Sequence, residues 1–132
     1  MRHMNKPVRK KDAMALVTGK PVYTLDLTPR DALVVNLLRS PPAHALITEI
    51  NVEKALTLPG IECALTYKDV PQERFTIGGQ SYPEPSPYDR LILDQLVRFV
   101  GDPVAIVAGV DERTVDPALG ILTVKYDVLA PS

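Results

Sequence analysis

The sequence predicts an α+β fold of mixed strands and two short helices in a single domain. Three observations support this prediction. Several segments alternate apolar and polar residues with the period of two that is typical of strands with one buried face. Segments with helix start and stop signals lie between some of these strands. The 13 prolines and 7 glycines lie almost entirely between the periodic segments, where they mark turns and not disorder.

Composition sets the class of protein. The 132 residues are 45% hydrophobic, which suffices for a core without disulfide bonds. A formal net charge of −1 gives no field that attracts nucleic acid or anionic lipid, so we expect neither as a partner. The longest strongly apolar stretch, residues 103–110, is too short to span a membrane. A single cysteine suits a reducing compartment, so we expect a cytoplasmic protein.

The N-terminal residues predict a tail followed by an arm. Residues 1–11 carry five basic side chains with no apolar segment after them, which indicates a flexible basic tail and not a secretory signal. Residues 12–17 predict a short helical turn that Gly19 ends. The two prolines within residues 21–31 then favour an extended arm and a turn.

Two strands follow the arm. Residues 33–39 form an apolar run typical of a buried strand. Two prolines end the run, because proline offers no hydrogen-bond donor to a neighbouring strand. Residues 45–51 predict a second strand, with Leu46 and Ile50 on one face.

A helix and a third strand are predicted next. Asn51 is a suitable N-cap for a helix over residues 52–58, and the Pro-Gly pair at residues 59–60 ends that helix. Residues 61–67 carry their larger apolar side chains at alternate positions, which predicts a half-buried strand. In this pattern Cys63 points inward.

The C-terminal half predicts a long loop and a hairpin. Residues 68–90 form a long polar loop, and such loops in compact domains are usually functional, mobile or ordered by a partner. Residues 96–100 and 104–110 flank Gly-Asp-Pro at 101–103, which indicates two strands joined by a tight turn.

The last segments predict a helix and a strand. Asp111 is a candidate N-cap for a helix that is irregular near Pro117. Alternatively, Asp116 caps a helix with Pro117 at its first position. Residues 122–128 alternate in the manner of a half-buried strand.

Few side chains carry recognisable chemistry. His3, His44 and Cys63 supply too few ligands for a metal site. His44 is close to Ser40 in sequence but has no acidic partner nearby, so a structural role in a turn is favoured over hydrolysis. Cys63 on an apolar strand face favours an inert thiol over a nucleophile. We predict no catalytic, cofactor-binding or metal-binding residue in this chain.

Three further motifs have ordinary interpretations. Gly78-Gly79 lacks the strand and helix that flank a nucleotide-binding loop, so a flexible turn is favoured. The proline-rich residues 82–87 favour a stiff loop wall over an extended ligand for an aromatic groove. The basic residues 9–11 favour a solvated tail over an anion-binding site.

Six short motifs follow one another along nearly the whole chain. They are VTGKPVY at 17–23 with Asp26, LRSPPAHA at 38–45, LPGI at 58–61, DVP at 69–71, VRFVGDPVA at 97–105 and VKYDVL at 124–129. In this order they resemble the N-terminal α/β-hammerhead domain of the molybdenum hydroxylase large subunit, as in xanthine dehydrogenase, aldehyde oxidase and carbon monoxide dehydrogenase. Asp102 stands where that family has glutamate, and Asp116-Pro117 where it has an alanine-rich helix.

The resemblance implies a parent oxidoreductase that hydroxylates heteroaromatics or aldehydes with oxygen from water. Such enzymes use a molybdenum-pterin cofactor, iron–sulfur clusters and often FAD. In the family, the residues that hold the pterin and the catalytic glutamate lie in other domains. The resemblance therefore implies that this chain binds none of these cofactors and is inactive alone.

Two functions are consistent with these features. In the first, residues 12–129 form the hammerhead domain of such an enzyme, residues 1–11 its tail and residues 130–132 the start of a linker or a truncation point. Its partners are then the molybdopterin-binding catalytic domains or subunit, with a homo-oligomer left open. In the second, the chain is a stand-alone interaction module that uses the 68–90 loop.

Overall fold

A computed structural model describes residues 4–76 and 87–130. The chain divides into two compact units, Met1–Ala32 and Leu33–Ser132. The turn expected at Gly78-Gly79 lies outside the described residues, as do His3 and most of the proline-rich loop wall. None of the helices in the two described ranges has the length and apolar character needed to cross a lipid bilayer.

The first unit contains two short helices. Helix α1 (Ala13–Val17) confirms the predicted helical turn, and Gly19 follows it with a φ of +68°. The prediction of an extended arm is wrong at its centre, where Thr24–Leu27 form a 3₁₀ helix. That helix forms because the Asp26 carboxylate accepts a hydrogen bond (2.8 Å) from the Tyr23 amide, which would otherwise lack a partner.

The second unit combines two sheets with two helices and confirms the α+β class. Its elements in order are β1 (Val34–Arg39), β2 (Ala45–Asn51), α2 (Glu53–Leu56), β3 (Ile61–Thr66), β4 (Leu96–Val97), β5 (Pro103–Gly109), α3 (Glu112–Ile121) and β6 (Thr123–Val128). The strand orders are β1-β5-β3 and β4-β2-β6, and the pairings of these strands are antiparallel. Each pairing joins one of the first three strands to one of the last three.

The predicted hairpin over residues 96–110 is wrong. Strand β4 pairs with β2, whereas β5 lies in the other sheet between β1 and β3. The reason is burial: β5 is shielded along nearly its whole length, as a central strand requires, and a two-residue partner could not cover it. Gly101, with a φ of +91°, turns the chain from one sheet to the other.

A β-bulge reverses the predicted face of β2. The register shifts between Ile47 and Glu49, so one extra residue enters the strand. Ala45 and Ile47 are fully buried before the bulge, and Ile50 packs against the same cluster after it. Leu46, predicted to lie on the same face as Ile50, is instead 36% exposed. A single inserted residue moves all following side chains to the opposite face.

A second bulge does the same in β3. The register shifts between Ile61 and Cys63. Ile61 packs on the core and Ala64 belongs to it, while Cys63 is only half-buried and is not among the core residues. The prediction that Cys63 points inward is therefore wrong.

Strand β1 is less buried than its apolar sequence predicts. It lies at the edge of its sheet, and the Val35 side chain is 59% exposed. The Asn36 amide on β1 donates to the Asp116 carboxylate (2.9 Å) on α3. Edge position explains the exposure, because an edge strand has a neighbour on one side only.

The helix predictions are confirmed in part. Helix α2 is shorter than the predicted 52–58, although Asn51 does accept a hydrogen bond (3.0 Å) from the Glu53 amide at its start. The Asp111 cap of α3 is confirmed, since its carboxylate accepts from the Thr114 amide at 2.8 Å. The alternative start at Asp116 is wrong, because the helix runs without interruption through Pro117.

Two apolar clusters stabilise the second unit. One contains Val107 of β5 with Val115 and Ala118 of α3, and the other contains Val104 of β5 with Ile47 of β2. Strand β5 therefore contributes to both clusters. The half-burial predicted for β6 is confirmed at its centre, where Val124 and Tyr126 pack on the second cluster.

Candidate functional site

Two of the sequence motifs meet as a pair of interlocked turns. The Ser40 amide donates to the Asp102 carbonyl (2.9 Å), and the Gly101 amide donates to the Ser40 carbonyl (2.8 Å). The Arg39 guanidinium donates to the Gly101 carbonyl at 2.9 Å. We call residues 39–42 and 99–103 the paired turns. The hydrogen bonds show that both motifs serve the connection between the two sheets.

Ser40 and His44 do not form a catalytic pair. The Ser40 hydroxyl donates to the Pro42 carbonyl at 2.9 Å, and His44 Nδ1 lies 2.7 Å from the Ala130 carbonyl oxygen. The His44 carbonyl also accepts from the Leu129 amide (2.9 Å). The two His44 contacts tie the segment that follows the first of the paired turns to the residues just after β6. Burial raises the pKa of the nearby Tyr126 phenol, an effect opposed by its hydrogen bond with Ser40.

A cleft of about 170 Å³ lies beside the paired turns. Two arginines, two aspartates and four apolar residues line it. The lining residues include Phe75 and Asp102, and Asp102 is only 8% exposed. The Asp102 carboxylate accepts from the Arg98 amide (3.0 Å), the bond that a carboxylate of either length can make in a turn.

The charges of the cleft are paired with one another. Arg98 Nη1 lies 2.7 Å from Asp94 Oδ2, and Arg90 Nη2 lies 3.9 Å from Asp102 Oδ1. The Arg90 guanidinium also lies over the Phe99 ring, 5.1 Å from its centroid. Burial raises the pKa of Asp94, but hydrogen bonds from the Leu96 amide and Arg98 outweigh it and hold that pKa below 3.8.

Sequence reasoning missed this cleft. Arg90, Asp94 and Arg98 are spaced four residues apart, a spacing that normally indicates one face of a helix. The segment instead lies in an irregular stretch before and after β4. The sequence did show a signal, namely charges of alternating sign within an otherwise apolar segment. That signal indicates a cleft only when the three-dimensional course of the chain is known.

The DVP motif forms a turn that ends strand β3, away from the cleft. The Asp69 carboxylate accepts hydrogen bonds from the Thr66 hydroxyl (2.7 Å) and the Thr66 amide (2.8 Å). These two bonds, with the hydroxyl contribution first, lower the pKa of Asp69 below 3.8. Asp111 is held in the same way by the hydroxyl and amide of Thr114, which lower its pKa as well.

These two aspartates predict part of the acid sensitivity of the fold. A carboxylate with a lowered folded pKa stabilises the protein above its unfolded pKa, and that contribution is lost as the pH falls through the folded pKa. We expect the melting temperature of the Asp69→Asn, Asp111→Asn variant to fall less than that of the parent chain between about pH 5 and about pH 2. Thermal denaturation at a series of pH values measures this. Asp31→Asn, in the other unit, is the control variant. The prediction is contradicted if the melting temperatures of the double variant, the control and the parent chain fall in parallel as the pH is lowered.

The chain matches a family described as "Aldehyde oxidase and xanthine dehydrogenase, a/b hammerhead domain" over residues 18–130. It is 46% identical over 122 residues to the probable hypoxanthine oxidase XdhD of Escherichia coli strain K12, which covers 92% of this chain and 13% of that protein. It is 35% identical over 122 residues to the xanthine dehydrogenase molybdenum-binding subunit of Escherichia coli O157:H7, covering 89% of this chain and 16% of that subunit.

Solved structures show the same similarity. Quinoline 2-oxidoreductase from Pseudomonas putida 86 superposes with a TM-score of 0.76 at 32% identity, covering 93% of this chain and 16% of that one. The chain therefore spans between 13% and 16% of the length of these three relatives.

Proposed function

Because the chain belongs to the aldehyde oxidase and xanthine dehydrogenase a/b hammerhead family, we propose that it is a packing domain of a molybdenum-hydroxylase-type oxidoreductase and is not catalytic alone. The observation that carries this proposal is that the motif residues make structural hydrogen bonds. The residues of the paired turns, His44 and Asp69 bond to backbone groups that connect strands. They hold a scaffold together, as a domain that positions its neighbours requires.

We place the hammerhead domain at residues 12–129, in keeping with the family match over 18–130. Residues 1–11 are then its tail and residues 130–132 the start of a linker. Its partners are the molybdopterin-binding catalytic domains or subunit of the same enzyme, in the cytoplasm. Relatives named as a hypoxanthine oxidase and as a molybdenum-binding subunit support this assignment.

The cofactors of the parent enzyme are assigned to those partners. Within residues 4–76 and 87–130, no three His, Cys, Asp or Glu side chains are grouped as a metal ion would need. Over the same residues, every buried side-chain nitrogen or oxygen already has a hydrogen-bond partner. We therefore assign the molybdenum-pterin, the iron–sulfur clusters and any FAD to the partners, and we assign no step of the reaction to the described residues.

Capture of the partner tests the proposal. The affinity-tagged chain is expressed in its own source cells, recovered under mild conditions, and analysed for molybdenum by mass spectrometry and for proteins by peptide sequencing. We expect molybdenum together with a protein whose sequence is that of a molybdopterin-binding hydroxylase. Recovery of the chain without molybdenum would contradict the proposal, as would turnover of a purine or an aldehyde by the purified chain alone.

The second function, a stand-alone interaction module, has one observation in its favour. Phe75 and Arg90 exchange backbone hydrogen bonds of 2.8 and 3.2 Å and so hold together the base of the 68–90 loop. Tyr88 beside this base is 71% exposed. If the loop is the contact surface, the tagged chain captures a partner protein that contains no molybdenum. Replacing residues 76–89 by a short glycine-serine linker then abolishes that capture.

A further inference from the structure

The unit Met1–Ala32 exposes five large apolar side chains within residues 17–27, a segment that we call the apolar arm. The exposed fractions are 80% for Val17, 64% for Val22, 62% for Tyr23, 86% for Leu25 and 72% for Leu27. No described residue of this unit is buried. These side chains therefore contribute little to the stability of the unit in which they lie.

The arm differs from exposed apolar residues of the second unit in how closely its apolar residues follow one another along the chain. Val35, Val110 and Val128 are also more than half exposed, but each lies on a different segment of the second unit. Single exposed apolar residues are ordinary on protein surfaces. Several exposed apolar residues within one short segment indicate a surface that a partner covers, because contact between water and so many apolar side chains is unfavourable.

The arm is also held in shape before any partner binds. The Asp26 carboxylate accepts from the Tyr23 amide (2.8 Å), and the Thr28 hydroxyl donates to the Thr24 carbonyl at 3.1 Å. The Lys20 amide donates to the Ala15 carbonyl (2.8 Å). An ordered segment loses less conformational entropy on docking than a random one, so these bonds favour binding.

We propose that the apolar arm docks on the molybdopterin-binding catalytic portion of the parent enzyme, with Leu25 and Leu27 as its central contacts. This inference rests on the function proposed above. The family match begins at residue 18 and so includes nearly all of the arm while excluding α1. In the relatives, the matched segment accompanies a much longer protein, since it covers only 13% to 16% of their length. That additional chain is the occupant we assign.

A charge placed on the arm tests this assignment. The tagged chain carrying Leu25→Asp is expressed in the source cells beside the wild type, and the molybdenum recovered per tagged chain is compared. We expect at least a tenfold loss, because an aspartate cannot be buried in an apolar contact without a partner. Val8→Asp in the same unit and Val128→Asp in the other unit are matched controls, since these side chains are 65% and 68% exposed.

The outcomes separate this inference from the proposed function. Circular dichroism of the purified variants verifies that each is folded like the wild type. If the wild type captures the molybdenum protein and Leu25→Asp captures it equally, the docking role of the arm is refuted while the proposed function stands. If the wild type captures no molybdenum protein, both are refuted. A photo-crosslinker at position 25 that joins only a second copy of this chain, or only its own second unit, also overturns the assignment.

Discussion

Replacing Gly60 by alanine is expected to destabilise the second unit by about 3 kcal/mol, the sum of backbone strain and a steric clash. Gly60 has a φ of +85°, and a Cβ there would lie 2.8 Å from Val110 Cγ2 and 3.2 Å from Thr114 Cγ2. The left-handed backbone alone costs about 1 to 2 kcal/mol for an L residue. The contact adds to it because Thr114 is held in place by two hydrogen bonds to Asp111.

Two other glycines separate these contributions. Gly101 has a φ of +91°, and a Cβ at this position would meet no atom within 4 Å, so Gly101→Ala measures the backbone cost. Gly120 lies on α3 in open space, and Gly120→Ala is expected to be neutral or stabilising by up to about 1 kcal/mol. Urea denaturation followed by circular dichroism gives all three free energies of unfolding. If Gly60→Ala lowers the free energy of unfolding no more than Gly101→Ala does, the side chains of Val110 and Thr114 move aside without an energetic penalty and the predicted steric contribution is wrong.

Removing the Asp102 carboxylate is expected to cost about 2 kcal/mol of stability, because Asp102→Ala leaves a turn amide and a cation without their partner. The amide is that of Arg98, which donates to Asp102 at 3.0 Å. The cation is Arg90, whose guanidinium is 3.9 Å from the carboxylate and whose side chain is 20% exposed. The partial exposure of Arg90 and the length of this ion pair keep the effect below that of a fully buried pair.

A series at position 102 distinguishes the two contacts. Asp102→Asn retains an oxygen that can accept from the Arg98 amide but removes the charge facing Arg90. We expect its stability to lie between those of the parent chain and Asp102→Ala, measured by urea denaturation. The difference between the asparagine variant and the parent should shrink in high salt, which screens the ion pair. Equal stability of the alanine variant and the parent would contradict the structural role of Asp102.

Local sequence chemistry predicts the elements better than their arrangement. The Asp111 cap and the half-buried centre of β6 follow from neighbouring residues, and the structure has both. The faces of β2 and β3 do not follow in this way, because a bulge has no signature in an apolar–polar pattern that assumes a period of two. The hairpin prediction is wrong for a different reason. A tight turn between two apolar segments shows that they are close in sequence, but it does not determine whether they pair, and the strands that pair with β5 are those that bury it.

The candidate site is predictable only in part. The motifs containing Ser40 and Asp102 are recognisable individually, but their mutual hydrogen bonds depend on the path between two sheets. The alternating charges at Arg90, Asp94 and Arg98 do not by themselves show that these residues line a common cleft. Contacts between segments that are far apart in the chain depend on tertiary packing, and that packing cannot be derived from a single sequence.

The strand pairing has a consequence for synthesis of the protein. In the part of the chain that the structure describes, strands β1, β2 and β3 pair only with β4, β5 and β6, so these first three strands have no partner strand when they leave the ribosome. Neither sheet can close until β5 and β6 have been translated, and closure then requires long loops to form at once, which is slow. The nascent chain consequently exposes three unpaired strands during much of its translation, and unpaired strand edges of this kind favour aggregation.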